Sequence, residues 1–92
     1  MAHTLETLEL GTPVFCGDLR VGEVHAIYAE GGARAVEWVI VGWAARGDVA
    51  VPAFEVETVD DRGVLLMHHD PKLYADLTDF SEARFPTARR LA

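Results

Sequence analysis

Ala35-Val36-Glu37-Trp38-Val39-Ile40-Val41-Gly42-Trp43, then Ala44-Ala45-Arg46-Gly47-Asp48, then Val49-Ala50-Val51-Pro52-Ala53-Phe54 is the stretch that decides the fold. Two apolar runs rich in β-branched and aromatic residues flank a short polar turn with a glycine, the pattern of a β-hairpin. From Trp38 to Trp43 nearly every position is apolar. Such a strand must be covered on both faces: by a core on one side, and by a second layer, a tail or a partner chain on the other. Trp38 and Trp43 have odd separation, so they face opposite sides of a regular strand. One enters the core. The other is either covered by a helix around 73–77 or placed at an interface, where aromatic side chains concentrate.

Working outward, Pro13-Val14-Phe15-Cys16 predicts a first strand and Gly17-Asp18-Leu19-Arg20 a turn. A second strand follows over 21–29, with Val24, Ala26 and Tyr28 on one face and Glu23, His25 and Ile27 on the other. Glu30-Gly31-Gly32-Ala33-Arg34 reads as a turn, because paired glycines accept positive φ. Near the start, Leu5, Leu8 and Leu10 predict a short lead-in strand or turn. Beyond the hairpin, Pro52 cannot donate a ladder hydrogen bond, so the strand ends or bends there. Phe54 and Val56 fall in a short turn or one-turn helix ahead of Glu57-Thr58-Val59. Asp60-Asp61-Arg62-Gly63 is a tight turn, and 64–68 is the last clear strand. At Asp70-Pro71 a capping residue precedes a proline, a helix start. The helix is predicted over 70–77, with Leu73, Tyr74 and Leu77 on one face. After Thr78 only Phe80, Phe85 and Leu91 are large and apolar, and Pro86 argues against a long helix. The expectation is a mainly β chain: a small antiparallel β-barrel of five to six strands with one short C-terminal helix. Closure would remove the exposed edges of so apolar a sheet.

Ninety-two residues fit one domain. Its charge is uneven. Residues 1–80 hold 14 acids and 5 bases, a balance of −9, whereas residues 81–92 hold one acid and three arginines, a balance of +2. The reading is therefore a domain over 1–80 and a basic tail over 81–92, either frayed or docked by charge on its own body or a neighbour's. A net charge of −7 repels phosphate backbones, so nucleic acid is not expected as a partner. Cys16 is the only cysteine, which excludes an intrachain disulfide. The first residues lack the basic and apolar regions of a secretory signal. The longest apolar run is far shorter than the roughly 20 residues of a membrane helix. A cytoplasmic location and no membrane insertion are the expectation.

Three stretches resemble the PRC-barrel family, a module found in the cytoplasmic part of the H subunit of photosynthetic reaction centres and at the C-terminus of a ribosome maturation factor. They are Pro13-Val14-Phe15-Cys16-Gly17-Asp18-Leu19-Arg20-Val21-Gly22-Glu23-Val24, Val49-Ala50-Val51-Pro52-Ala53-Phe54-Glu55-Val56 and Val59-Asp60-Asp61-Arg62-Gly63-Val64-Leu65-Leu66. The likeness covers roughly residues 8–77, and Gly17-Asp18 reverses the family's usual order. The resemblance implies a non-enzymatic docking module, often a dimer or part of a larger assembly, with no shared catalytic residues, and a stand-alone module is the expectation for this sequence.

The residues themselves carry no catalytic motif and no cofactor motif, so no enzyme activity and no cofactor are expected. His68-His69-Asp70 is the most ligand-like cluster and gives the alternative reading, a small metal- or ligand-binding protein. Adjacent strand residues point oppositely, so His25 or His3 would have to complete such a site. Cys16, His25 and Asp18 form a triad only on paper, and Cys16 reads as a small core residue. Glu55, Glu57, Asp60 and Asp61 read as a solvated face, since their spacing matches no cation loop. With no reactive set in view, function is expected at a surface. The candidate interface is Trp38, Ile40, Trp43, Phe54 and Tyr74, and the partner is another protein or a second copy of the chain.

Overall fold

The computed structural model describes residues 5, 8–30 and 35–92. Residues 31–34 of the predicted turn, His3, and residues 6 and 7 of the lead-in segment lie outside the described residues. Among the described residues seven strands, β1 (Pro13–Cys16), β2 (Leu19–Glu30), β3 (Trp38–Trp43), β4 (Gly47–Pro52), β5 (Val56–Asp60), β6 (Gly63–Leu66) and β7 (Ala88–Arg90), belong to one sheet. The order is β4-β3-β2-β1-β6-β5, with β7 added to β2. The predicted hairpin forms, pairing from Trp38 opposite Pro52 to Trp43 opposite Gly47. No helix among the described residues is long and apolar enough to cross a membrane.

Alternation along β3 and β4 sorts their side chains onto two faces. Val39, Val41 and Val51 join Val14, Val24, Ile27, Val64 and Leu66 in the main core. Ile40 and Ala50 join Ala26 and Tyr28 in a smaller cluster on the opposite face. β2 supplies both sides because it carries a bulge. Val24 pairs with Val41 but Ala26 pairs with Ile40, so His25 is an extra residue in the ladder. The bulge corrects the expected alternation: Val24 and Ile27 face the main core, while Ala26 and Tyr28 face away from it. Gly42 makes room for the displaced residue, since a Cβ there would overlap the His25 ring. The ring Nδ1 lies 2.7 Å from Asp48 Oδ1.

The expected all-antiparallel closed barrel is corrected in two ways. First, β6 runs parallel to β1, with Val14 opposite Val64 and Phe15 opposite Leu65. Long chain separation permits that pairing, and no local pattern announces it. Second, the sheet is not closed, because β4 and β5 do not pair although only Ala53–Glu55 separate them. That link spans at most roughly 14 Å, so the two ends of the sheet come close. Pro52 has no N–H to offer, and a 3-10 turn over Ala53–Glu55 redirects the chain. The outer edge of β4 is taken instead by residues 78–80. The Ala50 N–H donates to the Thr78 carbonyl (2.9 Å) and the Phe80 N–H to the Asp48 carbonyl (2.9 Å).

The predicted C-terminal helix is also corrected. Asp70 does cap, accepting from the Lys72 N–H, and Pro71 opens the turn, but only a 3-10 turn forms, over Pro71–Tyr74. The Arg46 guanidinium donates to the carbonyls of Tyr74 (2.8 Å), Ala75 (3.2 Å) and Leu77. Two of these, Tyr74 and Ala75, would accept the next amides of a longer helix. Leu73 consequently points to solvent, while Tyr74 is buried. Residues 81–92 include β7, which pairs Tyr28 with Arg90 and Glu30 with Ala88. On the outer face, Phe80 lies 4.9 Å from Tyr28 and Phe85 lies 5.1 Å from Trp38 between ring centres.

The β2–β3 contact is close enough to be tested with one methyl group. A Cβ on Gly22 would overlap the Gly42 carbonyl, which is strand backbone and cannot swing aside. Gly22→Ala is expected to cost about 1–3 kcal/mol in urea unfolding. Gly42→Ala should cost less, because the His25 ring can rotate off Asp48. A Gly22→Ala protein as stable as Gly42→Ala would contradict this packing.

Candidate interaction surface

The structure divides the five interface candidates. Ile40 is 1% exposed and Tyr74 is 2% exposed, so neither can meet a partner in this fold. Trp38 is half-buried: its ring packs edge-on against Phe85 and its Nε1–H donates to Glu30 Oε1 (3.1 Å). Trp43 is half-buried on the other face, against the main core, with its ring 5.9 Å from that of Tyr74. Opposite placement of the two tryptophans follows from their odd spacing on an unbroken strand. Phe54 alone stands out, at 75% exposed.

Leu10, Leu19, Met67 and Leu73 are exposed too, and the last two lie on segments hydrogen-bonded to that of Phe54. Leu73 is 63% exposed and Met67 is 53% exposed. Their segments converge on Glu55, the residue after Phe54. The Met67 N–H donates to the Glu55 carbonyl (2.8 Å). The Tyr74 hydroxyl donates to Glu55 Oε2 (3.0 Å) and accepts from the His68 N–H (3.0 Å). Sequence reasoning missed Met67 because it sits inside an apolar strand pattern, and missed Leu73 because a longer helix would have turned it inward. The signal for Phe54 was present: it follows Pro52, where the strand alternation stops.

The ligand-like trio is dispersed. His68 Nε2 lies 3.8 Å from Glu55 Oε2, His69 Nε2 lies 4.0 Å from Glu57 Oε2, and Asp70 is occupied as the cap of the 3-10 turn. No three metal-ligating side chains converge among the described residues. Cys16 is buried, and burial, with a smaller contribution from the Asp70 charge, pushes its thiol pKa up, away from the thiolate that a nucleophile needs. His25 pairs with Asp48 and not with Asp18. Of the acidic group, Glu55 is tied to Tyr74, and Asp60 accepts from the Arg62 backbone N–H (2.8 Å) and guanidinium (3.3 Å).

Compared with protein-family models, with curated proteins and with solved structures, the chain matches none.

Tyr74 makes the polar junction sensitive to alkali. Burial pushes its hydroxyl up to about 12; the His68 amide acts the other way, and the Glu55 carboxylate adds to the rise. Between pH 10 and 12 the unfolded chain gives up this proton while the folded chain keeps it, so stability present below pH 10 is lost as pH rises toward 12. Denaturant unfolding across that range is expected to show a smaller alkaline decline for Tyr74→Phe than for the wild type. Identical slopes would contradict the buried hydroxyl.

Proposed function

We propose that this chain is a non-enzymatic, PRC-barrel-like protein-interaction module of the cytoplasm that assembles as a homodimer. The family likeness rests on the three quoted stretches. The observation that carries the reading is Phe54, a large aromatic side chain left 75% exposed beside the segments that bear Met67 and Leu73. Aromatic residues and methionine are enriched at interface centres. A second copy of the chain is the occupant this reading commits to.

A dimer of two acidic bodies has a sign that can be tested. Each copy carries −7, so the copies repel while apolar contact holds them together. Added salt screens the repulsion and should tighten the dimer. A complex with a basic partner would loosen instead. Sedimentation velocity from micromolar to millimolar protein is expected to give a concentration-dependent dimer, stronger at high salt. Phe54→Glu should be monomeric with an unchanged circular dichroism spectrum. A wild-type protein that stays monomeric throughout, or a dimer indifferent to Phe54→Glu, would overturn this assignment.

A further inference from the structure

Beyond that interface, the outer face of the sheet holds a cleft of about 250 Å³ between β2 and the C-terminal segment. Its floor is aromatic. Tyr28 and Phe80 lie 4.9 Å apart between ring centres, and Phe80 stacks on Phe85 at 5.4 Å with 23° between the planes. Pro86 completes the apolar wall. Two opposite charges line the same cleft, Glu82 and Arg90. Arg90 is the direct cross-strand partner of Tyr28, and side chains of such a pair share one face of the sheet. Neither charged side chain has a hydrogen-bond or ion-pair partner among the described residues, in contrast to the nearby Glu30, which holds Trp38 and Thr87.

A guanidinium and a carboxylate, both unpaired, in one cleft with aromatic rings are complementary to a small zwitterion with an apolar side chain. The guanidinium offers a bidentate seat for a carboxylate, the carboxylate receives an ammonium, and the aromatic edges and Pro86 offer apolar contact to a side chain. The volume is just below the roughly 300–1,000 Å³ of drug-sized sites, so the ligand is small. We infer that this cleft binds a free α-amino acid with an aromatic or large aliphatic side chain, its carboxylate on Arg90 and its ammonium on Glu82. Such a site would make the module responsive to a metabolite through the segment that covers its outer face.

The test is a titration of the full chain with L-phenylalanine, L-phenylalaninamide and N-acetyl-L-phenylalanine. Backbone amide shifts report on residues 28 and 80–90, and tryptophan fluorescence reports through the Trp38–Phe85 contact. Saturable binding of the free amino acid is expected. The amide, which lacks the carboxylate, and the acetyl compound, which lacks the ammonium, should each bind about tenfold or more weakly. Both charged residues are exposed, so Arg90→Gln and Glu82→Gln keep the backbone pairing of β7, which circular dichroism checks. Arg90→Gln should erase the preference for the acid over its amide, and Glu82→Gln the preference for the free ammonium. Phe54→Glu should titrate as the wild type does, so failure of the dimer and failure of this site are separable. No saturable response to the amino acid, or equal responses to all three compounds, would overturn the inference.

Discussion

Tyr28, Trp38, Ile40 and Ala50 make an apolar surface on the side of the sheet that faces away from the main core, and the rings of Phe80 and Phe85 close over it. Everything else in the arrangement follows from that contact. β3 is apolar on both faces, and leaving one in water would cost roughly 25 cal/mol for each Å² exposed. The chain meets the demand from within, by returning residues 78–92 across the outer face. The return fixes further features. Residues 78–80 occupy the β4 edge, so β5 cannot close the sheet there, and β7 extends the other edge of β2. A strand of 12 residues can serve β3 on one side and both β1 and β7 on the other.

Arg46 holds the start of that return. Its guanidinium binds three carbonyls at and beyond the end of the 3-10 turn, and its Nε lies 3.5 Å from Asp79. The turn residue of the central hairpin thus positions the segment that covers the hairpin's outer face. At the hydroxyl end of Tyr74, Glu55 does a comparable job for the segments that carry the exposed apolar residues. It joins the segments of Phe54, Met67 and Tyr74 through one backbone and one side-chain acceptor.

Much of this was legible where the cause is local. The hairpin, the turn at Asp60–Gly63 and the Asp70 cap each depend on a few neighbouring residues, and each is found. The features that could not be read depend on distant ones. A parallel β1–β6 pair leaves no mark in either strand. The His25 bulge is visible only once Gly42 lies opposite and leaves space for the ring. The helix stops after one turn, and Arg46, some thirty residues earlier, donates to carbonyls at and beyond its end. Phe80 and Phe85 looked like isolated points among polar residues. The sequence did contain their role, in the demand of a two-faced apolar strand for a cover and in the scarcity of other aromatic residues to supply it. Of the interface candidates, Ile40 and Tyr74 are claimed by packing, and only Phe54 is left standing in solvent.

Proton–proton nuclear Overhauser effects in the full chain, read together with amide exchange, test the cover most directly. Ring-to-ring contacts between Trp38 and Phe85 and between Tyr28 and Phe80 are expected, because those centroids lie 5.1 and 4.9 Å apart. Slow exchange of the Ala50 and Phe80 amides should accompany them, since both are hydrogen-bonded between β4 and the returning segment. Absent ring contacts with fast exchange at both amides would mean that the outer face of the hairpin is open and that something other than this chain's own C-terminal segment covers it.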